Sequence, residues 1–320
     1  RLPGVSILEL RNPRSRWDRL VLGVELVRVA LRLKAGLFIL HDPELLPAGV
    51  LLRILGRKVV FDCHENLLGQ LRWKSYLPKL ARWFLTPLLW LTIRISTFVL
   101  SGFIVATETI GENLHTRRKV LVRNFPPQAI LDRAGSGLPV HQRRNIVFYS
   151  GGLSRDRGIY ELTEAFRGLP TNIELWLIGP FYDVCFEREI VRSLPANVRW
   201  FGLRPYSEVL DLLKEAKIGA VLHHDTPSHQ GGLPVKLFEY LGAGVPVVAS
   251  DLQVFNDALE GCGLQVDPQN IPAIRRAIKE LLKDPRRLWE MSLVGRERVL
   301  EKYPWESEAK RLQAFCAVFL

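Results

Sequence analysis

Between His223 and Asp251 the chain reads HHDTPSHQGGLPVKLFEYLGAGVPVVASD, an order of residues that could do chemistry. Gly231 and Gly232 free the backbone ahead of Pro234, a residue favoured at the first helical position. A helix starting there turns its free amides and the positive end of its dipole toward the loop, which makes an anion site. Lys236 projects from the first turn, within reach of a sugar or a phosphate. Glu239 lies about one and a half turns in. Gly242 and Gly244 close the helix and lead to a buried strand, PVVAS. Gly-rich turns alone mark any helix–turn–strand unit. The ordered set of glycines, helix start, internal carboxylate, Gly-x-Gly-x-Pro and strand is more specific.

Other candidates are more ambiguous on residue type alone. His64 stands beside Glu65 just past a strand end, where α/β proteins build their sites, although a loop histidine with satisfied hydrogen bonds reads the same. His41 and Asp42 open HDPELLP after another strand, and Asp42 or Glu44 is expected to cap the following helix. His223, His224 and His229 share a loop, but their spacing and lack of acidic partners argue against a metal. Cys63, Cys185, Cys262 and Cys316 are scattered, so neither a zinc site nor a disulfide framework is expected. That pattern fits a reducing, cytoplasmic setting.

The elements that position these residues alternate along the chain. Strands are expected at Val5–Leu10, Leu37–Leu40, Lys58–Phe61, Gly102–Val105, Val120–Val122, Asn145–Tyr149, Glu174–Ile178, Val198–Phe201, Ala220–Leu222 and Pro246–Ala249. Helical periodicity marks Ile159–Arg167, Ser207–Ala216, Val235–Leu241 and Ile271–Lys283. Such alternation with β-branched strands means doubly wound parallel sheets. The 320 residues suit two domains better than one. Linker composition from Asn124 to Arg144 puts the break there. The expected domains are 1–125 and 126–304, with a C-terminal helix over 305–320 packing back on the first. The first domain is expected to lack its opening strands, because no glycine-containing turn precedes Val5. The chain begins without Met or a signal-like segment, which suggests a start further upstream.

A net charge of +11 predicts an anionic partner: nucleic acid, acidic lipid or a phosphorylated substrate. Nucleic acid is disfavoured because no recognition motif accompanies the basic residues. From Leu80 to Leu100 the run LARWFLTPLLWLTIRISTFVL is interrupted by Arg82, Pro87 and Arg94, so a spanning helix is not expected. With Arg72, Trp73, Lys74, Tyr76, Lys79, Trp83 and Trp90, the region 71–94 is instead a candidate amphipathic surface for anionic lipid on the inner face of the membrane. A core-packed helix with its basic residues in water is the alternative.

Taken together, these motifs resemble family 4 of the retaining glycosyltransferases. LPVKLFEYLGAGVPVVASD looks like that family's donor-site helix and strand, and LHDPELLPAGVLLRILGRKVVFDCHEN like its first-domain segment. VRNFPP resembles the interdomain crossing, and YSGGLSRDRGIYELTEAF the opening of the second domain. GLQVDP and EKYPWESEAKRL resemble its closing elements. The resemblance implies a GT-B-like α/β fold, two Rossmann-like domains facing a cleft. It implies that Glu239 accepts hydrogen bonds from the donor ribose, that Arg157 holds the diphosphate with help from the amides near Gly232 and Leu233, and that His64 is the active-site histidine facing the donor sugar. Gly151, Gly152, Arg155, Gly202 and Gly231 are further donor-side positions by the same likeness, and Trp200 and Phe201 end a strand near the base. The family's first motif carboxylate is Gly231 here, and its usual diphosphate arginine is Gly152. Metal independence and no cofactor are implied, with a nucleotide sugar (a UDP-sugar favoured) as donor. A glycan or lipid-linked acceptor in envelope or exopolysaccharide synthesis completes the expectation. The alternatives are a nucleotide-sugar 2-epimerase type of enzyme and a catalytically impaired nucleotide-sugar-binding fragment.

Overall fold

A computed structural model describes residues 6–9, 18–64, 67, 79–226, 229 and 232–320. The chain divides into two compact units, Arg1–Arg123 with Glu308–Leu320, and Asn124–Ser307.

Among the described residues the first unit holds four parallel strands in the order β1-β2-β3-β4: Phe38–Leu40 (β1), Val59–Cys63 (β2), Gly102–Val105 (β3) and Lys119–Leu121 (β4). The helices of its main segment are Asp18–Arg32 (α1), Leu46–Ile54 (α2), Lys79–Val99 (α3) and Glu108–Asn113 (α4). Central strands β2 and β3 are buried along their whole length, while β1 and β4 are partly exposed, as sheet edges must be. Leu52, Val59, Phe61, Leu100 and Phe103 form the middle of this core. The C-terminal segment is held by Glu308, only 3% exposed, which accepts from the Arg123 amide at 3.0 Å and pairs with Arg311 at 2.9 Å.

The second unit carries six parallel strands in the order β10-β9-β8-β5-β6-β7. They are Ile146–Ser150 (β5), Glu174–Ile178 (β6), Val198–Trp200 (β7), Ile218–Val221 (β8), Val247–Ser250 (β9) and Gly263–Val266 (β10). The helices of this unit are Gln128–Ala134 (α5), Ile159–Phe166 (α6), Val184–Arg192 (α7), Tyr206–Leu213 (α8), Val235–Gly242 (α9), Asn256–Leu259 (α10), Ile271–Lys283 (α11) and Pro285–Lys302 (α12), with Trp305–Ala317 (α13) following. Two apolar clusters cover the two faces of the sheet, one around Phe148, Phe238 and Phe255, the other around Tyr149, Phe166 and Leu177. The strand order reverses between β5 and β8. In such sheets that switch is where the carboxyl ends open to a ligand.

Several expectations need correction. Ser6–Glu9 forms no strand: among the described residues it pairs with no ladder, and Ile7 is 80% exposed; the rest of Val5–Leu10 lies outside the described residues. The supposed linker is ordered as α5 and a 3-10 turn at Val140–Gln142, because Leu131, Ala134 and Val140 are buried in the second unit. Pro234 is the N-cap of α9 rather than its first residue. Asp42 sits at an N-cap position but makes no side-chain capping bond. Strand β10 was not anticipated from so short an apolar run.

Helix α3 presents Trp83, Trp90, Leu91 and Phe98 to solvent, with the Arg94 guanidinium over Trp90 and Phe98. Among the described residues no helix is long and apolar enough to cross a membrane. Arg72, Trp73, Lys74 and Tyr76 lie outside the described residues.

Candidate functional site

Glycine ends three neighbouring strands of the second unit, and each glycine is required by the backbone. Gly151 after β5 has φ +123°, Gly179 after β6 has φ +133° and Gly202 after β7 has φ +68°. The turns interlock: Gly151 donates to Ile178 O at 2.9 Å, and Gly179 donates to Gly202 O at 2.8 Å. A Cβ on Gly179 would lie 2.0 Å from Gly151 O. The strand ends therefore form a floor without side chains, above which lies a cavity of about 410 Å³.

Helix α9 supplies one wall. Three of its residues act at successive depths. Tyr240 is fully buried, and its hydroxyl accepts from the Ser150 amide at 2.8 Å, which fixes the helix against β5. Lys236 and Glu239 both line the cavity. The Lys236 ammonium lies 3.9 Å from the centre of the Tyr149 ring and, among the described residues, has no hydrogen-bond partner. Burial, and after it the neighbouring Arg157, pull Lys236 down to about 7. Arg157 is not among the residues lining the cavity, but it donates to Gly152 O at 3.2 Å. Two cations thus converge on one glycine turn and repel each other enough to lower the Lys236 pKa, which is the electrostatic arrangement of an anion site.

The opposite wall comes from α8 and the loop before it, through Leu203, Arg204, Tyr206 and Val209. Tyr206 donates its hydroxyl hydrogen to Glu239 Oε1 at 2.6 Å. Burial raises the Glu239 pKa, opposed by that hydrogen bond and by Lys236. Burial, and then Glu239, push the Tyr206 phenol well above its usual value. One cavity therefore joins a cationic glycine turn to a carboxylate further along the same helix.

The sequence candidates distribute as follows. Gly151, Gly152, Lys236 and Glu239 meet in the cavity, with Arg157 donating to its glycine turn. Gly202 supports the floor by accepting from Gly179. Arg155 is not brought there; its guanidinium pairs with Glu189 and lies over the Phe186 ring. Gly232 and Leu233 precede the α9 cap and do not line the cavity, and Gly231 is outside the described residues. Trp200 donates to Gly179 O at 2.9 Å, and Phe201 packs on Trp176. The loop histidines go to separate partners, His224 to Glu161 at 3.2 Å and His229 to Asp156 at 3.5 Å, while His223 is buried and stacked on His229. Tyr206 and Tyr149 were not singled out by sequence. Tyr206 stands one residue before the expected helix start, a position with no local signal of its use.

His64 belongs to the first unit, just past β2, with His41 and Asp62 beside it. His41 Nδ1 and His64 Nε2 lie 3.2 and 3.1 Å from Asp62 Oδ2.

Residues 136–298 match the profile of the family described as glycosyl transferases group 1, a span that includes every residue lining the cavity. Alpha-maltose-1-phosphate synthase of Mycolicibacterium smegmatis is 26% identical over 198 residues, covering 58% of this chain and 50% of that protein. The match thus spans half the length of that curated relative. Sucrose-phosphate synthase of Thermosynechococcus elongatus superposes with a TM-score of 0.70 at 22% identity, over 96% of this chain and 81% of that one. The Anabaena protein HepE, solved in complex with UDP, gives 0.70 at 14% identity, over 93% and 82% of the two chains. The fold is of the GT-B kind, α/β with two parallel-sheet domains.

Proposed function

We propose that this chain, which belongs to the glycosyl transferases group 1 family, moves a sugar from a nucleoside diphosphate donor, a UDP-sugar by preference, to a hydroxyl of a glycan or lipid-linked acceptor. The single observation that carries the proposal is the cavity that joins the Lys236–Arg157 glycine turn to Glu239. Its dimensions and charges suit a diphosphate at one end and a ribose at the other. HepE, similar in fold, was solved with UDP, which supports the choice of base.

In the proposed reaction the bond between the sugar C1 and the diphosphate oxygen breaks as the acceptor oxygen bonds to C1. The acceptor's hydroxyl proton passes to the departing phosphate. Charge therefore grows on phosphate oxygens beside Lys236 and Arg157. Fixed cations stabilise that charge without reorganising. Attack from the leaving-group side would retain the anomeric configuration and needs no protein nucleophile. Arg157 touches the turn without lining the cavity, so its share is electrostatic. His64 is proposed to face the donor sugar.

The exposed stripe of Trp83, Trp90, Leu91 and Phe98 around Arg94 supports a lipid-linked acceptor held at an anionic membrane surface, in envelope or exopolysaccharide synthesis.

The deciding experiment is a thermal-shift series with UDP-, GDP- and ADP-sugars on the parent and on Glu239→Ala. A UDP-sugar is expected to stabilise the parent alone. A parent indifferent to all three donors would remove the assignment.

A further inference from the structure

Two histidines and an aspartate of the first unit bring three donor atoms to one point, for reasons of strand register. Strands β1 and β2 are parallel with Leu40 opposite Phe61. Residues leaving the two carboxyl ends therefore emerge side by side: His41 directly after β1, Asp62 near the end of β2 and His64 just beyond it. His41 Nδ1 and His64 Nε2 stand 3.2 and 3.1 Å from the same Asp62 oxygen, and 3.4 Å from each other. That is a nearly equilateral triangle of two imidazole nitrogens and one carboxylate oxygen. Ligand atoms held ~2.0–2.1 Å from a tetrahedral zinc ion are about 3.3 Å apart by geometry.

A purely hydrogen-bonded cluster accounts for less of this arrangement. Two ring protons cannot serve all three contacts: if both imidazoles donate to Asp62 Oδ2, two N–H groups face each other across 3.4 Å, and if one ring accepts from the other, its bare nitrogen faces the carboxylate oxygen. Asp62 is only 9% exposed, and its other oxygen, Oδ1, is buried with no hydrogen-bond partner among the described residues. A carboxylate so placed is costly unless a positive charge compensates it. A dication on Oδ2, shared by two neutral imidazoles, supplies that charge and removes the facing protons.

We propose that His41, Asp62 and His64 form a binding site for a borderline divalent transition-metal ion of the zinc class. Imidazole and carboxylate donors suit such ions, whereas calcium and magnesium take oxygen ligands. Among the described residues the site offers these three ligand atoms, and the His41 and His64 side chains are 61% and 39% exposed. His64 has a part in both readings, so the test is binding rather than turnover, and it substitutes His41 and Asp62, to which the transferase reading gives no role.

The test titrates chelator-treated full chain with zinc chloride by calorimetry, and separately with cobalt(II), whose visible absorption reports tetrahedral nitrogen and oxygen ligation. One equivalent is expected to bind the parent. Affinity should fall at least tenfold in His41→Ala and in Asp62→Asn, with the cobalt band lost in both. His41 is exposed, so its variant is expected to keep the parent's melting temperature and decides the question even if Asp62→Asn fails to fold. Absence of stoichiometric uptake by the parent, or unchanged uptake by a folded His41→Ala chain, overturns the proposal.

Discussion

The two sheets equip their carboxyl ends in opposite ways. At the four-stranded sheet, chemistry is supplied by side chains standing on the strand ends: His41, Asp62 and His64, within 3.4 Å of one another. At the six-stranded sheet, side chains have been removed from the strand ends, and Gly151, Gly179 and Gly202 leave bare backbone. The charged groups there come from elsewhere, Lys236 and Glu239 from α9 and Arg157 from the turn before α6. A point ligand such as a proton or a metal ion needs atoms that converge. An extended anion needs room first and charge second. The same strand-end position in a parallel sheet serves either purpose according to whether a Cβ is present.

The sharpest way to break this comparison is to restore one Cβ. Gly179→Ala combines an unfavourable φ of +133° with an overlap at 2.0 Å against backbone, not a movable side chain. It should cost the second unit about 3 kcal/mol or more, read by urea unfolding. Gly202→Ala is the control. Its φ is +68° and nothing lies within 4 Å of the added carbon, so about 1–2 kcal/mol is expected. Equal losses in the two variants would show that the floor is not sterically required.

Next in size is the removal of the buried cation. Lys236→Met should weaken UDP binding about 100-fold, equivalent to one charge-assisted contact of about 3 kcal/mol. The unliganded protein should gain about 1–2 kcal/mol, because an unpartnered buried charge is exchanged for an apolar chain. Loss of stability together with binding would mean that the lysine is structural.

The lysine also sets a pH dependence. Its folded pKa of about 7 lies below the ordinary lysine value of 10.5. Between those values the unfolded chain holds more protons, so stability should rise with pH across that window, by at most about 1.4 kcal/mol per unit. Below pH 7 the penalty is fully present. A diphosphate that restores the ammonium must bring a proton with it, so UDP binding should take up close to one proton near pH 8.5. Calorimetry in buffers of different ionisation enthalpy measures this, and Lys236→Met should abolish it.

Much of the sheet architecture was legible because central strands in parallel sheets must be apolar on both faces. Gly102–Val105 and Glu174–Ile178 were located to the residue for that reason. Failures came where tertiary context overrides composition. Val5–Leu10 looks like a strand but among the described residues Ser6–Glu9 has no ladder to join, and the Pro- and Gly-rich stretch after Asn124 looks like a linker but buries Leu131 and Val140. Lys236 and Glu239 could be picked out because they share one helix with its flanking glycines. Tyr206 could not, since it reaches Glu239 from 33 residues away. The His41–Asp62–His64 cluster was equally hidden, because it depends on the β1–β2 register rather than on any local spacing.

The smallest expected effect tests how the glycine-floored site orients its carboxylate. The Tyr206 hydroxyl holds Glu239 Oε1 at 2.6 Å, and Glu239 is the only proposed ribose contact. If that bond positions the carboxylate, Tyr206→Phe should weaken UDP binding about fivefold, or about 1 kcal/mol, and narrow the difference between UDP and its 2′-deoxy analogue. The same substitution in a Glu239→Ala background should change little, since there is no longer a carboxylate to orient. If instead the phenol stands where the ribose hydroxyls must go, Tyr206→Phe will tighten binding. That sign would place the tyrosine as a competitor for Glu239, and the carboxylate would then resemble Asp62, a group already engaged within its own unit before any ligand arrives.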